Sequence, residues 1–301
     1  MQNYVNVEAG HARGAEGGKG RVGRMSSIET LVTGYGLVEA PRVDEAGGLY
    51  FCDAREGGVY RRAAGGEIET VVPRRRGVGG IVLHADGGVV VSGRDLSHVR
   101  SGESRTIYRA VDAPRWNDIF ADAAGRIYAG TLRFAPFAKG DVQEPGALFR
   151  IDAEGEATLL YGDVALSNGI GFSPDQSRLY HSDSARAHVI VHDIAGDVVS
   201  NRRVFARLPK GAPDGLCVDQ EGGVWVAAYG AARVLRFGPD GALEFEIELP
   251  EPRVTSVCFG GVDLRDLYVV TADDGCGQPP RGGIHRVRVD VAGLPAPLAR
   301  I

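Results

Sequence analysis

The sequence predicts an all-β chain folded as a six-bladed β-propeller, and three observations lead there. Short apolar runs bounded by Gly, Asp and Pro fill the chain, and glycine alone accounts for 44 of its 301 residues. Helical patterns of period 3.6 are hard to find, which leaves strands as the recurring element. The third observation is self-similarity, because one strand–turn–strand stretch recurs six times in nearly constant phase, the mark of a repeat architecture.

In chain order the copies begin with "EAPRVDEAGGLYFCDA" from Glu39, "GGIVLHADGGVVVSGR" from Gly79 and "NDIFADAAGRIYAGTL" from Asn117. "NGIGFSPDQSRLYHSD" from Asn168, "DGLCVDQEGGVWVAA" from Asp214 and "TSVCFGGVDLRDLYVV" from Thr255 complete the set. Each opens on a lead residue, runs apolar, turns through Gly or Asp, and runs apolar again. A third strand follows each copy: "GGVYRR", "TIYRA", "ALFRID", "HVIVHDI", "ARVLRFGPDG" and "GIHRVRVD". Starts lie roughly 40–50 residues apart, the period of a four-stranded blade. A lone blade leaves both sheet faces open, whereas six side by side cover them. "SSIETLVTG" (26–34) is the expected strand that closes the ring against the last blade. One propeller domain is therefore expected over 26–301, with 1–25 a flexible tail.

Composition narrows the partners. The formal charge is −5 with mixed signs and the pI is near 5.8, with no basic stripe, so neither nucleic acid nor an anionic membrane is expected. The densest basic run, "PRRRG" (73–77), reads as a solvated turn. Cys52, Cys217, Cys258 and Cys276 form no CxxC pair, which points to a reducing compartment and a cytoplasmic protein. No run of about 18 apolar residues is present to span a membrane, and the N-terminus lacks the apolar core of a secretory signal.

The leads carry the chemistry. First strands of a propeller line its central channel and run the same way, so equivalent positions form a ring at one end. Glu39, Asn117, Asn168, Asp214 and Thr255 each bring a side-chain oxygen to that ring, and Gly79 does not. Carboxylates and amides converging on one axis repel or go unsatisfied unless a cation sits between them. A hard divalent ion suits such oxygens. Glu39, Asn168 and Asp214 are the expected ligands, and Asn117 is either a fourth ligand or a substrate donor.

"RWND" (115–118) with "GRIYAGT" (125–131), "LSNGIGFSPD" (166–175), "GAPDGLCVDQEGGVWVAAY" (211–229) and "TSVCFGGVDLRDLYVVTA" (255–272) resemble the SMP-30/gluconolactonase/LRE-like family. The likeness covers roughly residues 28–290. It implies a six-bladed propeller with one catalytic divalent metal held by Glu39, Asn168 and Asp214. Asp214 would also be the general base, and Arg115 and Asn117 would contact substrate. Two stretches depart from the family pattern. The first ligand sits in "VEAPRV" instead of "GEGPxW". The segment "AGTLRFAPFAKGDVQEPGALF" places Arg133, Phe134 and Phe137 where sugar-binding polar groups are common, which favours a substrate less hydroxylated than a sugar lactone.

The expected function is a metal-dependent lactonase, with the metal as Lewis acid and Asp214 taking a proton from water. The ion could be Ca, Mg, Mn, Zn or Fe, with Ca the one expected in a crystal. Trp116 is a further substrate contact. Alternatives are a non-catalytic divalent-metal or ligand-binding propeller, or a propeller hydrolase acting on other esters or phosphotriesters. No GxSxG elbow occurs, "SDS" (182–184) reads as a structural turn, and Trp225 reads as blade packing.

Overall fold

A computed structural model describes residues 27–110, 115–134, 144–273, 275 and 280–301. The first strand, β1 (Glu29–Tyr35), does not join the strands that follow it. Blade one is β2 (Val38–Val43), β3 (Leu49–Asp53), β4 (Val59–Arg62) and β5 (Ile68–Val72). Blade two is β6 (Ile81–Leu83), β7 (Val89–Val91), β8 (Leu96–Arg100) and β9 (Glu103–Tyr108). Blade three is β10 (Arg115–Ala121), β11 (Ile127–Leu132), β12 (Gly146–Ile151) and β13 (Ala157–Val164). Blade four is β14 (Ser167–Phe172), β15 (Arg178–Asp183), β16 (His188–Ala195) and β17 (Val198–Arg207). Blade five is β18 (Ala212–Val218), β19 (Val224–Tyr229), β20 (Arg233–Phe237) and β21 (Leu243–Glu248). Blade six is β22 (Val254–Gly260), β23 (Asp266–Thr271) and β24 (Gly282–Arg288), completed by β1. The closing strand anticipated in "SSIETLVTG" is this β1, paired antiparallel with β24 from Glu29↔Arg286 to Tyr35↔Gly282.

Burial grades outward along each blade. Every residue of β11 is buried, while the outer strand β9 is mostly exposed. The cores lie between blades: Val189 and Val191 of blade four pack with Val224, Val226 and Leu235 of blade five. Each such side chain contributes about 1.5–3 kcal/mol when it leaves water, so a blade is stable only beside its neighbours. The turn between the first two strands is stapled by an aspartate. In blade five Asp219 Oδ1 accepts from the Glu221 and Gly223 N–H groups, and Gly222 supplies the left-handed φ of 83° that the turn needs. Trp225 packs as expected, edge-on to Phe245 and Phe259, and donates its indole N–H to Asp219.

Two assignments shift or fall away. "TIYRA" was expected as the third strand of blade two, but it overlaps the fourth, β9. The link after β7 is so short that β8 begins at Leu96, and it takes the third place. The tail expected over 1–25 lies outside the described residues. No helix of the described residues is long and apolar enough to cross a membrane.

The C-terminal segment straps the end of the channel opposite the leads. It bridges Gly293 to Asp219 and Ala299 to His84, and Arg300 N–H donates to Gly125 O. These contacts fall on the turns that end the first strands, which leaves the strand beginnings open.

Candidate metal centre and its cavity

At the beginnings of the first strands a cavity of about 870 Å³ opens. A repeated irregularity aims the leads into it. Glu39↔Cys52 is followed by Arg42↔Tyr50, so three steps on β2 match two on β3. The same one-residue excess follows Trp116, Ser167 and Pro213, and a matching shift follows Val254. A bulge of this kind bends its strand and re-aims the side chains within it. The strands also approach closely here. A Cβ on Gly169 would lie 2.5 Å from Leu216 N, and one on Gly215 would lie 2.0 Å from Ser256 Oγ. The glycines after Asn168 and Asp214 thus let neighbouring first strands meet. In blade one that position is Ala40, at φ 51°, a left-handed conformation that costs a non-glycine residue about 1 kcal/mol.

Glu39, Asn117, Asn168 and Asp214 all line the cavity, with Gly79 between the first and second of them. Thr255, the sixth lead, instead donates its hydroxyl to Val38 O at 2.5 Å and ties the last blade to the first. Asn168 is held from both sides. Its Nδ2 donates to Ser184 Oγ at 2.8 Å, and its Oδ1 accepts from Asn117 Nδ2 at 2.7 Å. Ser184 in turn donates to Pro213 O at 2.5 Å, beside Asp214. Asn117 Nδ2 also donates to Ser167 O at 2.7 Å. Its Oδ1 lies over Gly79, where any Cβ would come within 2.3 Å.

The two carboxylates are uncompensated. Burial pushes the Glu39 carboxyl well above the usual range, and the charges of Asp214 and then Asp118 push it further. Burial, then Asp118, does the same to Asp214, which is only 7% exposed. Among the described residues neither carboxylate has an ion-pair partner. The nearby Arg42 guanidinium pairs with Asp118 at 3.6 Å. Burial raises Asp118 to about 6 despite that arginine. Two acidic groups forced together with an amide oxygen beside them form the donor set a hard divalent cation takes. Among the described residues no cluster of three or more His, Cys, Asp or Glu could hold a metal; the amide of Asn168 is the further oxygen donor that lines the cavity with the two carboxylates. In donor type, Glu39, Asn168 and Asp214 suit such an ion.

The remaining expected contacts divide. Arg115 lines the cavity. Trp116 borders it, but its ring is 2% exposed and packs edge-on to Tyr108 and Phe149 in the core between blades two and three. Arg133 is exposed and pairs with Glu144 at 3.3 Å. Neither Arg133 nor Phe134 is among the described residues that line the cavity, where Leu132 is the contribution from this segment. Phe137 lies outside the described residues. The "PRRRG" run is a largely exposed non-strand segment, and two of its arginines, Arg75 and Arg76, also border the cavity.

His181, His98 and His84 are held by contacts within the fold. His181 bonds Ser167 Oγ at 2.7 Å and the Tyr161 hydroxyl at 2.9 Å. Burial, helped by His192 and Arg202, holds its imidazole down to about 3, and both Ser167 and His181 are fully buried. This pair is out of reach of any substrate. His98 stacks on His84 and bonds Gly87 O.

A family model described as "SMP-30/Gluconolactonase/LRE-like region" matches residues 37–273. A 6-deoxy-6-sulfogluconolactonase from Pseudomonas putida is 35% identical over 269 residues, 83% of this chain and 90% of that protein. A pentonolactonase from Haloferax volcanii is 34% identical over 248 residues, 78% of this chain and 81% of that one. Among solved structures, a luciferin-regenerating enzyme superposes with a TM-score of 0.83 at 26% identity, covering 91% of this chain and 99% of that one.

Proposed function

This chain belongs to the SMP-30/gluconolactonase/LRE-like family, and on that premise we propose that it is a lactonase working with one bound divalent cation. The observation that carries the reading is the pair of carboxylates, half-buried Glu39 and buried Asp214, that face one cavity with no ion-pair partner among the described residues. The lactonase names of relatives at 34–35% identity support it.

Glu39, Asn168 and Asp214 would hold the ion. What a bound cation supplies there is Lewis-acid polarisation of the lactone carbonyl. Asp214 accepts a proton from the attacking water as the new C–O bond forms. The same carboxyl returns that proton to the ring oxygen as the ester bond breaks, leaving a hydroxy acid. Asn117, anchored on Asn168 and Ser167 O, and Arg115 orient the ring. Ser184 keeps the oxygen of Asn168 turned away from its own hydroxyl by accepting the amide N–H. Of the aromatic pocket wall anticipated from Phe134 and Phe137, Phe134 is not among the described residues that line the cavity, and Phe137 lies outside the described residues.

The test is turnover. Metal-stripped protein is assayed with sugar, aliphatic and aromatic lactones using a pH indicator, with Ca²⁺, Mg²⁺, Mn²⁺, Zn²⁺ or Fe²⁺ restored singly. The expected result is no hydrolysis without metal and recovery with at least one ion. Metal binding without turnover of any lactone would instead mark a binding propeller.

A further inference from the structure

We propose that this cavity selects lactones carrying an anionic substituent, a carboxylate, phosphate or sulfonate, on the part of the molecule remote from the reacting carbonyl. The inference rests on the lactonase reading and adds the substrate class. Five arginines border the cavity: Arg55, Arg75, Arg76, Arg94 and Arg115. They come from consecutive segments of blades one, two and three, so they form an arc on one side of the mouth. Asn168 and Asp214 belong to blades four and five.

Two of the five are compensated. Arg75 donates to Asp95 at 2.6 Å. Burial works against ionised Asp95, but hydrogen bonds from Ser97, Arg109 and Arg75 outweigh it and hold the carboxyl down to about 2. Arg55 lies 3.7 Å from Asp273. Arg76, Arg94 and Arg115 have no carboxylate partner among the described residues, and Arg76 makes only a long 3.5 Å bond to Glu56 O.

The backbone fixes this crowding. Gly93 and Trp116 exchange N–H···O bonds of 3.1 and 2.7 Å in an antiparallel bridge, so Arg94 and Arg115 stand opposite each other one step along it. Gly77, next to Arg76, would bring a Cβ within 4.0 Å of the Arg115 guanidinium. Like charges placed opposite one another repel. Neither Glu39 nor Asp214 forms an ion pair with these arginines among the described residues, and on the lactonase reading both carboxylates would be taken up by the divalent ion. The whole chain carries a net charge of −5, so the arc runs against its overall sign. A neutral polyol offers three guanidinium groups nothing that water does not. An anionic oxygen cluster meets them through charge-assisted, fork-shaped hydrogen bonds.

The experiment uses metal-loaded full-length protein and lactones of one ring type. Their far carbon carries a hydroxymethyl group, a carboxylate, a phosphate or a sulfonate. At least one anionic lactone should exceed the neutral one in kcat/KM by about tenfold or more, mainly through KM, and the advantage should shrink as salt rises. In the Arg76→Gln/Arg94→Gln double variant that ratio should fall toward one. Both side chains are exposed, so the fold is expected to survive, and a thermal melt checks it. The arm that responds identifies the anion. A neutral lactone preferred by the wild type, or a ratio untouched by the double variant, overturns the proposal while leaving lactonase activity standing. If no lactone is hydrolysed, the lactonase reading falls instead. Calorimetric titration with the four open-chain hydroxy acids then decides the arginine assignment: tighter binding of an acid bearing the second anionic group sustains it, and equal binding removes it.

Discussion

Asp214→Asn is expected to lower kcat about 10³-fold, within the range that a positioned acid–base group contributes, while the propeller stays folded. The amide has nearly the shape of the carboxylate but cannot accept the proton of water. The substitution also removes one of the charges that push up Glu39, so the metal-free variant should melt at or above the temperature of the metal-free wild type. Initial rates at saturating metal and lactone, paired with thermal melts, check both halves. Activity within tenfold of wild type would remove Asp214 from its role as base.

Glu39→Gln should act on the metal before it acts on the chemistry. Ligand charge sets affinity at oxygen sites, and even indirect partners of a metal site are worth 10–100-fold, so loss of this carboxylate should weaken binding by about 100-fold or more. Titration of metal-stripped protein by calorimetry reads this directly. Turnover lost at low metal should return in part at high metal, which separates a ligand from a base. The same titration on Asp214→Asn should show weakened binding whose saturation does not restore turnover.

Much of this was legible because a propeller repeats. The six strand–turn–strand copies gave the blades and put Glu39, Asn168 and Asp214 at equivalent places, and the closing strand β1 could be read from its position alone. What the sequence did not make legible has physical causes. Trp116 precedes Asn117 on β10, and on a strand neighbours face opposite ways; a side chain next to a lead therefore points into the blade packing, as its contacts with Tyr108 and Phe149 show. The bulges that aim the leads leave no mark in composition. Ser184, which fixes Asn168, sat inside "SDS" (182–184), a motif read only as a structural turn; Ser182 and Asp183 end β15, and Ser184 opens a single 3-10 turn. Arg42 and Asp118 lie one or three residues from leads but gain meaning only when blades one and three face each other. The arginine arc was the least visible feature. Its members come from different loops without a period, so "PRRRG" looked like any solvated run until the ring folded Arg75 and Arg76 toward Arg94 and Arg115.

The most direct test of the central claim is a crystal structure of the metal-loaded protein with anomalous scattering recorded for a transition metal such as Mn²⁺. The account predicts one strong peak on the propeller axis, with side-chain oxygens of Glu39, Asn168 and Asp214 all at coordination distance, roughly 2–2.6 Å. A peak held by other residues, or a loaded protein in which any of those three oxygens lies outside the coordination sphere, would contradict it.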